Sequence, residues 1–284
     1  MGSGRIFITS HGIAPISPAS LSSSIWRNRQ LIAQLTRREV ESRYKGSVLG
    51  VAWSFFTPVF MLAVYTFVFS EIFQSRWGGS GGNGSRTQFA LILFVGMITL
   101  NLFNEVLNRA PGLVIANVNY VKKVIFPLEI LPVVATASAL FNALISLAVL
   151  LTAFAAFNFY VNWTAIFIFP ILLPLVILTL GLAWFLAALG VFLRDVGQTI
   201  VIVTMTLMFL SPIFYPLDAV PARFRIYVLA NPLTFIIGQA RDVLIWGVMP
   251  DWVGLGEYTI FACVVACAGY AWFQHMRRGF ADVL

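Results

Sequence analysis

Residues 43–73 read RYKGSVLGVAWSFFTPVFMLAVYTFVFSEIF. A basic run stops at Lys45, and from Val48 to Phe69 no residue carries a charge. That uncharged stretch is long enough to cross a bilayer, which takes about 20 apolar residues in a helix. Its polar exceptions are Ser54, Thr57 and Thr66, and aromatic residues recur along it. The rest of the chain repeats the theme. Of 284 residues, 60% are hydrophobic and 10% charged, with a mean hydropathy of +0.89, whereas soluble domains carry about 25% charged residues. The expected fold class is an all-α polytopic membrane protein, and the apolar segments leave no room for a separate catalytic domain.

Six spans are expected, at about 49–72, 88–108, 128–157, 164–192, 197–214 and 257–274. Residues 1–21 are rich in Ser, Pro and Gly and form an extended lead-in. With no continuous apolar run in the first 47 residues, the first span is expected to stay as an uncleaved anchor. A helix over 22–45 puts Arg27, Gln30, Gln34, Arg37, Arg38, Glu41 and Lys45 on one face and Ile25, Leu31, Ile32, Leu35 and Val40 on the other, with Arg29 and Arg43 as intruders, the pattern of an amphipathic interface helix. Gly46 and Gly50 ease the bend into a six-span transmembrane domain over 46–284. Segment 215–256 is too long for a turn and too interrupted, at Asn231–Pro232, for a pair of spans. It reads either as re-entrant helices between spans five and six or as an amphipathic cap.

The formal net charge is +7. The basic residues flank the spans, so they read as topology signals and lipid contacts rather than as a nucleic-acid surface. Thirteen of the 18 Lys and Arg fall on the side of the two termini, and the other five include Arg241. This predicts both termini in the cytoplasm. Cys263 and Cys267 share a helix face in an apolar run and read as packing residues.

Several chemistries are excluded. No G-x-x-x-x-G-K-[ST] loop occurs, so the chain lacks that means of binding ATP phosphates. Gly79 to Gly84 matches G-x-G-x-x-G without the strand and helix a dinucleotide site needs. There is no H-E-x-x-H, no Cys–His cluster and no G-x-S-x-G, and only two histidines, His11 and His275. No catalytic residue and no metal site is expected. Glu71, Glu105 and Glu129 sit near span ends, which disfavours ion-coupled transport. Trp53, Phe56, Phe60 and Phe67 share one face of the first span, and Gln198, Met205, Met208 and Tyr215 keep similar spacing in the fifth. Such faces suit helix packing or lipid contact. They also suit a pore on which the apolar faces of sugars slide, because aromatic contact lacks the directional bonds that would trap a polymer.

The stretches 37–73, LFVGMITLNLFNEVLNRAPGLVIANVNYVKKVIFPLEILP (93–132), LGVFLRDVGQTI (189–200), SPIFYP (211–216) and ANPLTF (230–235) occur in an order that resembles the permease subunits of ABC-2-type polysaccharide exporters. The first stretch looks most like the O-antigen (lipopolysaccharide) branch, with capsule and teichoic-acid exporters close by and drug or peptide permeases further off. The resemblance implies a homodimer in the bacterial cytoplasmic (inner) membrane, paired with two copies of a cytoplasmic ABC ATPase. ATP and Mg would be bound by that partner, with no cofactor in this chain. The cargo implied is a polyprenyl-diphosphate-linked glycan. On this likeness Arg37, Arg38, Arg43 and Lys45 would meet the lipid diphosphate, as cations pair with phosphate, although plain anchoring also accounts for them. The first and fifth spans would line the channel through the residues named above. Asn119, Tyr120, Lys122 and Lys123 in connector 110–126, with Arg194 and Asp195 as a second candidate, would couple to the ATPase.

Overall fold

The computed structural model describes residues 18–72, 86–122 and 126–284. The expected lead-in up to residue 17, the glycine-rich hairpin 78–85 and Lys123 lie outside them. Every regular element among the described residues is helical. Five helical stretches are long and apolar enough to cross a membrane: Gly50–Phe69, Gln88–Gly112, Ile130–Asn158, Trp163–Phe192 and Trp252–Val283. Helices suit this solvent because they satisfy their own backbone groups where no water is available.

The chain enters through α1 (Pro18–Arg27) and α2 (Arg29–Arg43). The expected single helix is thus two pieces joined at Asn28, whose Nδ2 donates to the Ser24 carbonyl at 2.9 Å, local competition with the helix ladder that asparagine favours. Gly46 (φ 87°) and Gly50 (φ 52°) then take the left-handed backbone that turns the chain. The first span consists of a 3₁₀ turn, Gly50–Ala52, then α3 (Trp53–Thr66) and a π-helical turn, Phe67–Ile72.

The second span, α4 (Arg86–Arg109), is the axle of the bundle. It is deeply buried and touches α3, α6 (Ile130–Asn158), α7 (Ile168–Phe192), α8 (Val196–Leu210) and α10 (Pro232–Arg241). Between α4 and α6 lie the short α5 (Val118–Lys122) and two 3₁₀ turns. Helix α7 pairs along its length with α11 (Trp252–Met276), which precedes the terminal α12 (Phe280–Val283). Small residues make that pairing close. A Cβ at Gly181 would come within 2.6 Å of Ala266 Cα, and one at Gly269 would collide with the Gly181 carbonyl. Without a hydrophobic drive between helices in lipid, such small-residue contact is what lets backbones pack.

The expected fifth span differs from its forecast. Helix α8 stops at Leu210 and has 15 residues, short of a full crossing. Ser211 adopts an extended backbone (ψ 141°), as the residue before Pro212 is pushed to do. The segment expected to be re-entrant or a cap holds α9 (Ala222–Leu229) and α10 with its π-helical end, bent by 91° at their junction. Asn231, buried at the bend, accepts from the Leu233 amide and donates to Ser211 Oγ at 2.8 Å. The far end of the pair is held by the turn that opens the fourth span. Asn162 Nδ2 donates to the carbonyls of Leu244 and Ile245, and Thr164 Oγ1 to that of Val243. The segment therefore starts and finishes at the same end of the bundle, as a re-entrant pair or a cap on that end would.

Candidate functional site

The two faces of α3 divide cleanly. Ser54, Pro58 and Leu62, four residues apart, are buried against the bundle. Trp53, Phe56, Phe60 and Phe67 lie on the opposite side and are all exposed, Phe60 at 68%. On α8, Ile200 and Thr204 are buried, Thr204 Oγ1 donating to Asn108 Oδ1 of α4 at 3.0 Å. Gln198 and Met205 face away, and Met208 is half-buried. Tyr215 lies beyond the end of α8, so helical spacing does not govern it. Its hydroxyl donates to the Phe209 carbonyl, and its ring helps line an apolar pocket of about 530 Å³ with Leu210, Phe224 and Tyr227. The rings of Phe69 and Phe214 approach to 6.3 Å. The ends of the first span and of α8 therefore converge beside α4, each presenting an uncovered face.

At the opposite end of the bundle two polar knots hold the entry helices. Arg43 pairs with Glu105 of α4 and lies 3.9 Å from Glu39, while Arg109 pairs with Glu39 and lies 3.8 Å from Glu105. Two cations and two anions thus balance across α2 and α4. Of the four basic residues grouped on the interface helix, Arg37, Arg38 and Lys45 are exposed and Arg43 belongs to this network. Arg37 also pairs along its own helix with Glu41 at 2.8 Å, a contact that counts for little in solvent. In the second knot, Glu129 at the start of α6 accepts from Arg277 at 2.9 Å and from Ser24 at 3.2 Å. Its carbonyl accepts from Trp184 Nε1. This brings the entry helices and the C-terminal tail to one end. Ile32 of α2 completes the seam by packing on Ile130 and Val134.

The connector rests on the same end. Pro111 lies directly against Gly190, where a Cβ would collide with its carbonyl. Tyr120 stacks on Phe126 at 4.4 Å and joins a cluster with Trp184, Tyr270, Phe273 and Phe280. Asn119 is exposed on α5, Lys122 closes that helix, and Arg194 and Asp195 are exposed in the turn between α7 and α8. Asn119 and the Arg194–Asp195 turn therefore present polar side chains beyond the ends of the spans.

Arg241, one of the five basic residues on the side away from the termini, is buried at 5% exposure. Its guanidinium donates to the carbonyls of Ile92, Pro212 and Ile213 at 3.1, 2.6 and 3.0 Å. The Pro212 and Ile213 carbonyls lie past the end of α8, outside any helical ladder, whereas Ile92 lies inside α4. Reading the sequence also missed an asparagine series, Asn101, Asn104 and Asn108, spaced three and four apart along α4. The spacing was visible, but only the fold shows that Asn142 of α6 joins it, donating to Glu105 at 3.2 Å. No group of three or more His, Cys, Asp and Glu suited to a metal occurs among the described residues. Cys263 and Cys267 are unpaired, the first exposed and the second half-buried.

The model of the ABC-2 type transporter family matches residues 30–245. The chain is 26% identical to the O-antigen export system permease protein RfbA of Myxococcus xanthus, over 92% of this chain and 98% of that protein. It is 23% identical to the RfbA protein of the same description from Klebsiella pneumoniae, over 89% and 95%. With the polysialic acid transport protein KpsM of Escherichia coli it shares 22% identity over 86% and 92%.

Proposed function

Because this chain belongs to the ABC-2 type transporter family, we propose that it is the membrane-spanning permease of an ATP-driven exporter that carries a polyprenyl-diphosphate-linked polysaccharide, an O-antigen, out of the cytoplasmic leaflet of the bacterial inner membrane. The observation that carries this reading is the near full-length match to O-antigen export permeases. The KpsM match supports a capsule exporter as the second reading.

In this proposal the chain works as a homodimer with both termini in the cytoplasm, and two copies of an ABC ATPase bind ATP and Mg and hydrolyse the ATP. Asn119 and its neighbours, including Lys122 and Lys123, together with the Arg194–Asp195 turn, contact that ATPase. The uncovered faces of α3 and α8 face the glycan path. In support, their aromatic and thioether side chains make soft contacts, which let a chain of sugar rings pass without a deep trap. Arg37, Arg38 and Lys45 are exposed on α2 and just past its end, and cations of this kind pair with phosphate.

The test is to purify the chain from its native membrane and to delete its gene. A stoichiometric P-loop ATPase and loss of surface O-antigen are expected. Export by the chain alone without ATP would sink the proposal, and loss of capsule with O-antigen intact would favour the second reading.

A further inference from the structure

Between α3, α4 and α6 lies a cleft of about 430 Å³ that none of the roles above uses. Its wall carries Asn101 and Asn104 from α4, Asn142 and Ser146 from α6, and Thr57 from α3, with the Arg43–Glu105 pair at its mouth. Carboxamides and hydroxyls are costly to keep within apolar spans, and their convergence on one cavity marks a place built for a polar guest. Ser54 and Pro58 of α3 line the cleft as well, and Pro58 has no N–H to return to the Ser54 carbonyl one turn earlier. The Asn104 side-chain oxygen is buried and receives no hydrogen bond among the described residues.

The charges decide what kind of guest fits. Arg43, the cation that lines the cleft, is balanced by Glu105, and Arg109 beside it by Glu39, so the cleft wall itself offers no surplus positive charge to a phosphate. What remains are groups that both donate and accept, matching the two-way hydrogen bonding of a hydroxyl. We propose that this cleft binds a neutral, hydroxyl-rich group, a single sugar ring or a short sugar chain, presented at the membrane surface on a lipid. The volume suits a small ligand. Two sources share this chemistry: the lipid-proximal sugar of the transported glycan and the headgroup of a glycolipid in the surrounding bilayer. The first rests on the export reading, the second does not.

The experiment places the full chain in phosphatidylcholine nanodiscs and titrates four lipids bearing a photoreactive group. They are a glucosyl diacylglycerol, a polyprenyl-diphosphate-linked oligosaccharide, plain diacylglycerol and plain polyprenyl diphosphate. The sugar-bearing lipids should bind saturably and label segments 101–105 and 142–146, and the sugar-free ones should not. Labelling by the lipid-linked oligosaccharide alone assigns the cleft to the cargo. Labelling by both assigns it to headgroup sugars in general.

Asn104→Leu and Asn101→Leu should each weaken binding about tenfold, and Asn101 is exposed, so its replacement does not endanger the fold. Equal labelling by the sugar-free lipids, or unchanged binding in Asn101→Leu, overturns the proposal. If no sugar binds while O-antigen export still needs this chain, only the cleft assignment falls. If sugar binds but export does not need the chain, only the export reading falls.

Discussion

Arg241 holds three backbone carbonyls that belong to two different segments. Replacing it with leucine strands the Pro212 and Ile213 carbonyls, which lie outside any helix, at a cost of about 1–3 kcal/mol for each one left unsatisfied. Arg241→Leu should therefore lower stability by at least about 2 kcal/mol in a detergent unfolding titration. Arg241→Lys should recover only part, because one ammonium cannot reproduce the planar fork. A leucine variant as stable as the parent would show that the carbonyls find other partners. Gly269 tests the opposite limit, too little space rather than too few bonds. Gly269→Val should abolish correct assembly, read as loss of the monodisperse species on size exclusion, because its Cβ would meet the Gly181 carbonyl.

At the scale of elements, the entry helices are fastened to the bundle by the Glu39–Arg43–Glu105–Arg109 network and by the Ile32 seam. A double-mutant cycle on Glu39→Gln and Arg109→Gln should return a coupling of about 1 kcal/mol, since the pair is only partly screened from solvent. Additive effects would mean that the apolar seam alone holds α2. The amphipathic pattern of 22–45 was legible because charge and apolar character alternate at helical spacing. The salt-bridge partners were not, since Glu105 and Arg109 are far from Glu39 and Arg43 in sequence. The length of α8 was likewise misjudged by hydropathy. The apolar run continues to 214, whereas the Ser211–Pro212 step ends the helix.

For the whole molecule, the uncovered faces of α3 and α8 make a functional prediction. Phe56→Ala with Phe60→Ala should slow O-antigen export several-fold while leaving membrane insertion and ATPase association unchanged, as read by surface polysaccharide and co-purification. Unchanged export would assign that face to lipid. Cysteines introduced at the two termini should be shielded from a membrane-impermeant thiol reagent in intact cells, and labelling of either would reverse the proposed orientation. By itself the sequence determined the all-helical membrane class and the positions of the long spans, because hydropathy and charge are local properties that a bilayer reads directly. Only the tertiary structure decided that Arg43 is balanced by Glu105, that Arg241 is interior, and that asparagines from α4 and α6 enclose one cleft. Each depends on which helices are neighbours, and in lipid that is set by close backbone approach at residues such as Gly181 and Gly269 rather than by any pattern along one helix.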